Sequence, residues 1–163
     1  MSTKAKAVPE GFHTITPYLV VRDAAKAVEF YKRAFGAEVR GIHYTPDGKI
    51  MNADLKIGDS IVLMSEEFPE MKALSPQSLG GSSVTIHIYT EDVDAKFKQA
   101  VSAGATAVMP VMDMFWGDRY GQLADPFGHR WSIATHVEDL TSDEIQKRGQ
   151  AVFAEMAKRA QHA

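Results

Sequence analysis

The side chains with most to offer chemically gather in one glycine-flanked stretch and on a few alternating strands. Trp116 and Tyr120 stand in Trp116-Gly-Asp-Arg-Tyr-Gly121, with Met112, Met114 and Phe115 just before them. Flat and polarizable side chains of this kind can grip a planar or aliphatic guest, and loops rich in turn chemistry often carry function. Ordinary core packing is the competing reading, and for the methionines, Met64 included, it is the stronger one. Arg119 could hold a carboxylate or phosphonate in a bidentate fork, or pair with Asp118 and merely fix the loop. Period-two alternation puts Thr16, Tyr18 and Val20 on one strand face, Thr85, His87 and Tyr89 on another, and Arg130, Ser132, Ala134 and His136 on a third. These polar sets are assigned to a cavity, and Leu19, Val21, Ile86, Ile88, Trp131 and Ile133 to the helices behind. His87 needs a hydrogen-bond partner whether it is core or touches a ligand, and Tyr18 is one candidate. His136 reads as a strand-end surface residue. Glu66 and Glu67 read as solvated, although Glu66 shares parity with Val62 and Met64 near the cavity mouth.

Composition removes whole classes of function. The chain has 163 residues, 45% of them hydrophobic, which is enough for one buried core. Its net charge of −3 and lack of a basic run argue against nucleic acid as partner. There is no cysteine, so disulfides, thiolate zinc sites and a thiol nucleophile are out, and any metal would need His, Asp or Glu. No segment approaches the roughly 20 apolar residues of a membrane span. A cytoplasmic location is the expectation, with no membrane partner.

Elements that could position these side chains appear twice. Ile15 to Arg22 reads as a strand, Asp23 as the N-cap of a helix stopped by Gly36, and Glu38 to Tyr44, Lys49 to Ile57 and Ser60 to Ser65 as three further strands. After a connection over 67–82, Ser83 to Tyr89, a helix from Asp92 to Gly104, and strands Ala105 to Pro110, Arg119 to Ala124 and Arg130 to His136 repeat that order. Asp23 answers to Asp92, and Gly58 to Gly128. The expected architecture is α+β: a single domain of module one (14–66), the connection, module two (83–136) and a C-terminal helix over 141–160. That helix carries a Thr141–Glu144 capping box and a stripe of Ile145, Val152, Phe153 and Met156.

Tyr18-Leu-Val-Val-Arg-Asp23, Phe30-Tyr31, Phe35-Gly36, Asp92-Val-Asp94, Gly104-Ala105 and Asp125-Pro-Phe-Gly128 together resemble the vicinal-oxygen-chelate superfamily of glyoxalases, bleomycin-resistance proteins and extradiol dioxygenases. Trp116-Gly-Asp-Arg-Tyr-Gly121, with His129 and Trp131-Ser-Ile-Ala-Thr-His136, narrows the resemblance to its PhnB-like branch. The resemblance implies two βαβββ modules whose curved mixed sheets surround a cavity, and it implies that homodimers are common. It also implies a divalent metal held from four strand positions, which here carry Thr16, Val62, Thr85 and Ser132. Val62 cannot ligate, and neutral hydroxyls are poor ligands for such a metal. Asn52 stands where PhnB-like relatives frequently have histidine.

The expected function is therefore binding of a small hydrophobic or aromatic molecule in a metal-free cavity, with no cofactor and no assigned catalytic residue. The ligand-binding set is Tyr18, Met64, His87, Phe115, Trp116, Tyr120 and Ser132. Two alternatives stand beside it: a metal-dependent lyase, isomerase or dioxygenase with a shifted ligand set such as His87 and His136, and a non-catalytic dimeric interaction protein. A metal-free enzyme using His87 as general base lacks a visible orienting partner.

Overall fold

The computed structural model describes residues 5–161. Strand β1 (Tyr18–Val21) runs into Asp23, whose carboxylate accepts the Lys26 N–H and opens α1 (Ala24–Phe35). Asp23 sits at φ 59°, a left-handed conformation that aspartate tolerates better than most residues. Strands β2 (Glu38–Tyr44), β3 (Ile50–Ile57) and β4 (Ser60–Glu66) complete module one as a sheet in the order β1-β4-β3-β2. Strand β1 starts later than the β-branched run suggested; Ile15 to Pro17 form a lead-in from which the Pro17 carbonyl accepts the Leu63 N–H.

Neither Glu66 nor Glu67 is free in solvent. The Glu66 carboxylate accepts the N–H groups of Asp23 and Ala24, both at 2.8 Å, so the last residue of β4 satisfies orphan donors at the start of α1. Glu67 accepts the Ser75 N–H and pairs with Arg22. The Ser78 hydroxyl, then the Ser75 N–H and hydroxyl, and lastly Arg22 hold its carboxyl down to about 2. The connection is tied down in this way and contains a 3-10 turn (Pro69–Met71) and the single-turn helix α2 (Pro76–Leu79).

Module two repeats the order with β5 (Thr85–Tyr89), α3 (Val93–Ala103), β6 (Thr106–Asp113), β7 (Asp118–Ala124) and β8 (Arg130–His136), its sheet ordered β5-β8-β7-β6. Strand β6 extends past Pro110 to Asp113. It lies at the sheet edge, with register shifts around Met109, where a missing N–H is tolerated. Helices α1 and α3 lie against each other, and the Gln99 amide donates to the Arg33 carbonyl at 2.8 Å. Between the two helix-bearing faces lies one core: Leu19, Val21, Leu55, Tyr31, Phe35, Leu123, Trp131 and Ile133 are all buried. Asp125, itself buried, accepts from Tyr31 Oη at 2.7 Å, Trp131 Nε1 at 2.8 Å, and the N–H groups of Phe127 and His129. A single carboxylate thus joins the helix of module one to the hairpin turn of module two.

The final helix, α4 (Ser142–Ala160), opens on the capping box of Thr141 and Glu144. It rests on the 113–118 loop through Gly149, which lies under the Phe115 ring, and a bidentate Arg148–Glu138 pair ties it to the segment that follows β8. No helix among the described residues is long and apolar enough to cross a membrane.

Candidate functional site

The faces of the sheets away from the helices are open, and on module two that face carries a connected set of rings. The His87 imidazole stacks on Tyr120 with centroids 5.9 Å apart and meets Tyr89 edge-on at 4.5 Å. Tyr120 in turn meets Trp116 edge-on at 5.4 Å. His87 Nδ1 lies 2.7 Å from the hydroxyl of Ser132, its neighbour across the β5–β8 ladder, and Ser132 is buried. Burial lowers the His87 pKa and so favours the neutral imidazole, opposed by the negative charge of Asp118. The Gln122 amide donates to the Tyr120 oxygen at 2.8 Å.

Asp118 anchors this ring set from below. It is buried, and its Oδ2 accepts from Trp116 Nε1 at 3.0 Å and Tyr89 Oη at 3.2 Å. Its Oδ1 pairs with His136 Nδ1 at 2.8 Å, while His136 Nε2 reaches Asp139 at 3.0 Å. The hydrogen bond to Asp118, then that to Asp139, raises the His136 pKa. His136 is exposed as expected, yet its two carboxylate partners make it part of the site's support. Asp118 and Arg119 do not pair. They lie on opposite faces of β7, and Arg119 instead grips Asp94 of α3 with two bonds and Asp113 with a third.

Four of the seven expected ligand-binding residues, His87, Ser132, Tyr120 and Trp116, thus come together. Tyr18 lies across the seam between modules, half-exposed on edge strand β1, and shares with His87 a groove of about 690 Å³ that Pro17, Thr85 and Ile86 also line. A second groove of about 770 Å³ adjoins it along β5 and is lined by Thr16, Val62, His87 and Tyr89. Phe115 stands behind Trp116, edge-on at 5.0 Å, and packs on α4 through Gly149 and Phe153. Met64 is elsewhere: it is fully buried, pairs with Leu19 and Ala53, and faces the helices. Tyr89, Asp118 and Gln122 were not in the expected set. Strand parity with His87 and Ser132 was the available signal for Tyr89, whereas the Asp118 hub needs β7 and the 113–118 loop in place.

The Met64 displacement also corrects the four positions that the resemblance marks for metal ligands. Tyr18 pairs with Leu63 as His87 pairs with Ser132, so Leu63, not Val62, is the module-one equivalent of Ser132. Gly58 stands five residues before Leu63 whereas Gly128 stands four before Ser132, so counting four from the module-one turn glycine lands one residue early. Val62 and Met64 therefore belong to the core face. The corrected set is Thr16, Leu63, Thr85 and Ser132. Leu63 is a hydrocarbon, Ser132 is engaged by His87, and the Thr16 hydroxyl donates to the His13 carbonyl at 3.2 Å. These donors do not fit a divalent metal. Among the described residues, no three His, Asp or Glu side chains gather as metal ligands.

Comparison with known proteins matches residues 11–133 to a family model described as the Glyoxalase/Bleomycin resistance protein/Dioxygenase superfamily. An uncharacterized protein of Mycobacterium tuberculosis (strain ATCC 25618 / H37Rv) is 49% identical over 135 residues, covering 81% of this chain and 79% of the relative. Among solved structures, TioX from Micromonospora sp. ML1 is 27% identical with a TM-score of 0.62, covering 77% of this chain and 99% of its own. A gene product of Arabidopsis thaliana is 30% identical with a TM-score of 0.62, covering 76% and 98%. A PhnB protein from Bacillus cereus, at 17% identity and a TM-score of 0.57 over 76% and 99%, shares the fold.

Proposed function

The chain belongs to the Glyoxalase/Bleomycin resistance protein/Dioxygenase superfamily, and from that premise we propose that it binds a small hydrophobic or aromatic molecule without using a metal. The observation that carries this reading is the ring set His87, Tyr89, Tyr120 and Trp116 on an open sheet face beside the seam grooves. Such a surface offers flat apolar contact with a few fixed polar atoms, the general make-up of a small-molecule site. Tyr89 and Trp116 are held by bonds to buried Asp118, so they present their faces with little rotamer freedom left to lose. The donor set at the superfamily's metal positions supports binding over metal-assisted lyase, isomerase or dioxygenase chemistry.

Naphthalene titrated into the protein is expected to quench the fluorescence of Trp116 and to raise the melting temperature by linkage. Trp116→Ala should weaken the affinity about three- to tenfold, the scale of one aromatic contact. Unchanged affinity in that variant would move the site elsewhere. One equivalent of divalent metal per purified chain would overturn the metal-free reading.

A further inference from the structure

The hydrogen-bonding polarity of the ring face names the chemistry of the guest, provided that the aromatic-binding reading holds. We propose that this face selects planar aromatic compounds bearing an uncharged carbonyl oxygen, which accepts a hydrogen bond from Nε2–H of His87.

Ser132 sets the polarity of the ring face. Its side chain is only 2% exposed, and His87 Nδ1 is its one hydrogen-bond partner among the described residues. A buried hydroxyl hydrogen left without an acceptor keeps the full penalty of its lost hydration. If Nδ1 carried the imidazole proton, the Ser132 hydrogen would be left in that state. The lower-energy arrangement has Ser132 donating to the Nδ1 lone pair. A neutral imidazole with a bare Nδ1 carries its hydrogen on Nε2. That nitrogen has no hydrogen bond among the described residues, and His87 lines both seam grooves.

The neighbouring polar atoms point to the same polarity. Tyr89 Oη and Trp116 Nε1 both spend their hydrogens on Asp118, which also holds His136. The Asp118 carboxylate is thereby engaged by three donors and buried, so it is no acceptor for a guest's N–H or O–H. Its charge nevertheless reaches His87. An anionic guest at Nε2 would meet that negative potential, whereas a neutral carbonyl would not. The stacked His87 and Tyr120 planes, 19° from parallel, set the flat surface along which such a guest would lie.

Two measurements on the full chain test this. Nitrogen-15 spectra of the histidine rings should show His87 protonated at Nε2 and bare at Nδ1; the opposite tautomer overturns the inference. Dissociation constants for chromone, which carries a ring carbonyl, and for naphthalene, which does not, should then be compared in the wild type and in His87→Phe. The variant keeps a flat ring and loses the donor. Chromone affinity should fall about three- to tenfold further than naphthalene affinity, as for one neutral hydrogen bond. Equal losses for the two compounds would overturn the carbonyl preference and leave aromatic binding standing. Failure of both to bind the wild type would remove the binding reading itself.

Discussion

His136 shows how an exposed residue can support a site it does not line. Its two ring nitrogens are each matched to a carboxylate, which favours the imidazolium, and the Asp118 it faces is the same group that fixes Tyr89 and Trp116. A folded pKa raised above the ordinary 6.5 means a stabilising contribution that is full below 6.5 and lost as pH rises through the folded value. The urea midpoint of wild type should therefore exceed that of His136→Gln by more at about pH 5.5 than at about pH 8.5. An equal gap at the two pH values would show that the charge plays no part. That His87 and Ser132 share a face was legible in the sequence because both sit on strands whose alternation is clean, but their hydrogen bond was not: the partner expected for His87 was Tyr18, and Ser132 takes that place. Met64 lies on the core face instead because parity counted from a turn glycine slips by one: Gly58 is five residues from Leu63, Gly128 four from Ser132. A one-residue slip moves a whole strand to its other face.

Caps and strand order were the most readable features at the scale of elements. Asp23, Asp92 and Thr141 cap the helices expected of them, since a short polar side chain just before an amphipathic run has few other uses. Glycines were harder to interpret. Gly117 does lie in a turn, at φ 97°, but Gly121 is mid-strand in β7. A Cβ there would stand 2.8 Å from the Phe97 ring of α3 and 3.0 Å from Val111 of β6. Its role is to let α3 close on the sheet behind Tyr120, a requirement visible only once the helix is docked. Gly121→Ala should destabilise the fold by about 1–3 kcal/mol, the usual cost of overpacking, as read from the denaturant midpoint. A stability unchanged within error would mean that Phe97 yields freely and that the helix packs loosely there.

The duplicated order of strands and helix was visible along the whole chain, but the join between the halves was not. It rests on Tyr31 and Asp125, which stand 94 residues apart and carry no pattern linking them. Asp125 belongs to a turn motif that reads locally as a hairpin device. In the structure its Oδ1 does serve that turn through Phe127 and His129, while its Oδ2 serves the core between modules through Tyr31 and Trp131. Removing one donor and removing the shared acceptor should therefore differ. Tyr31→Phe deletes a single bond to a charged acceptor and should cost about 1.5–3 kcal/mol. Asp125→Ala strands four donors, two of them on the backbone, and should cost at least about 3 kcal/mol more than a surface Asp→Ala change. Equilibrium unfolding in urea reads both losses. Similar small losses in the two variants would mean that water replaces the carboxylate, and that the modules are held by the apolar packing of Phe35, Phe127 and Trp131 alone.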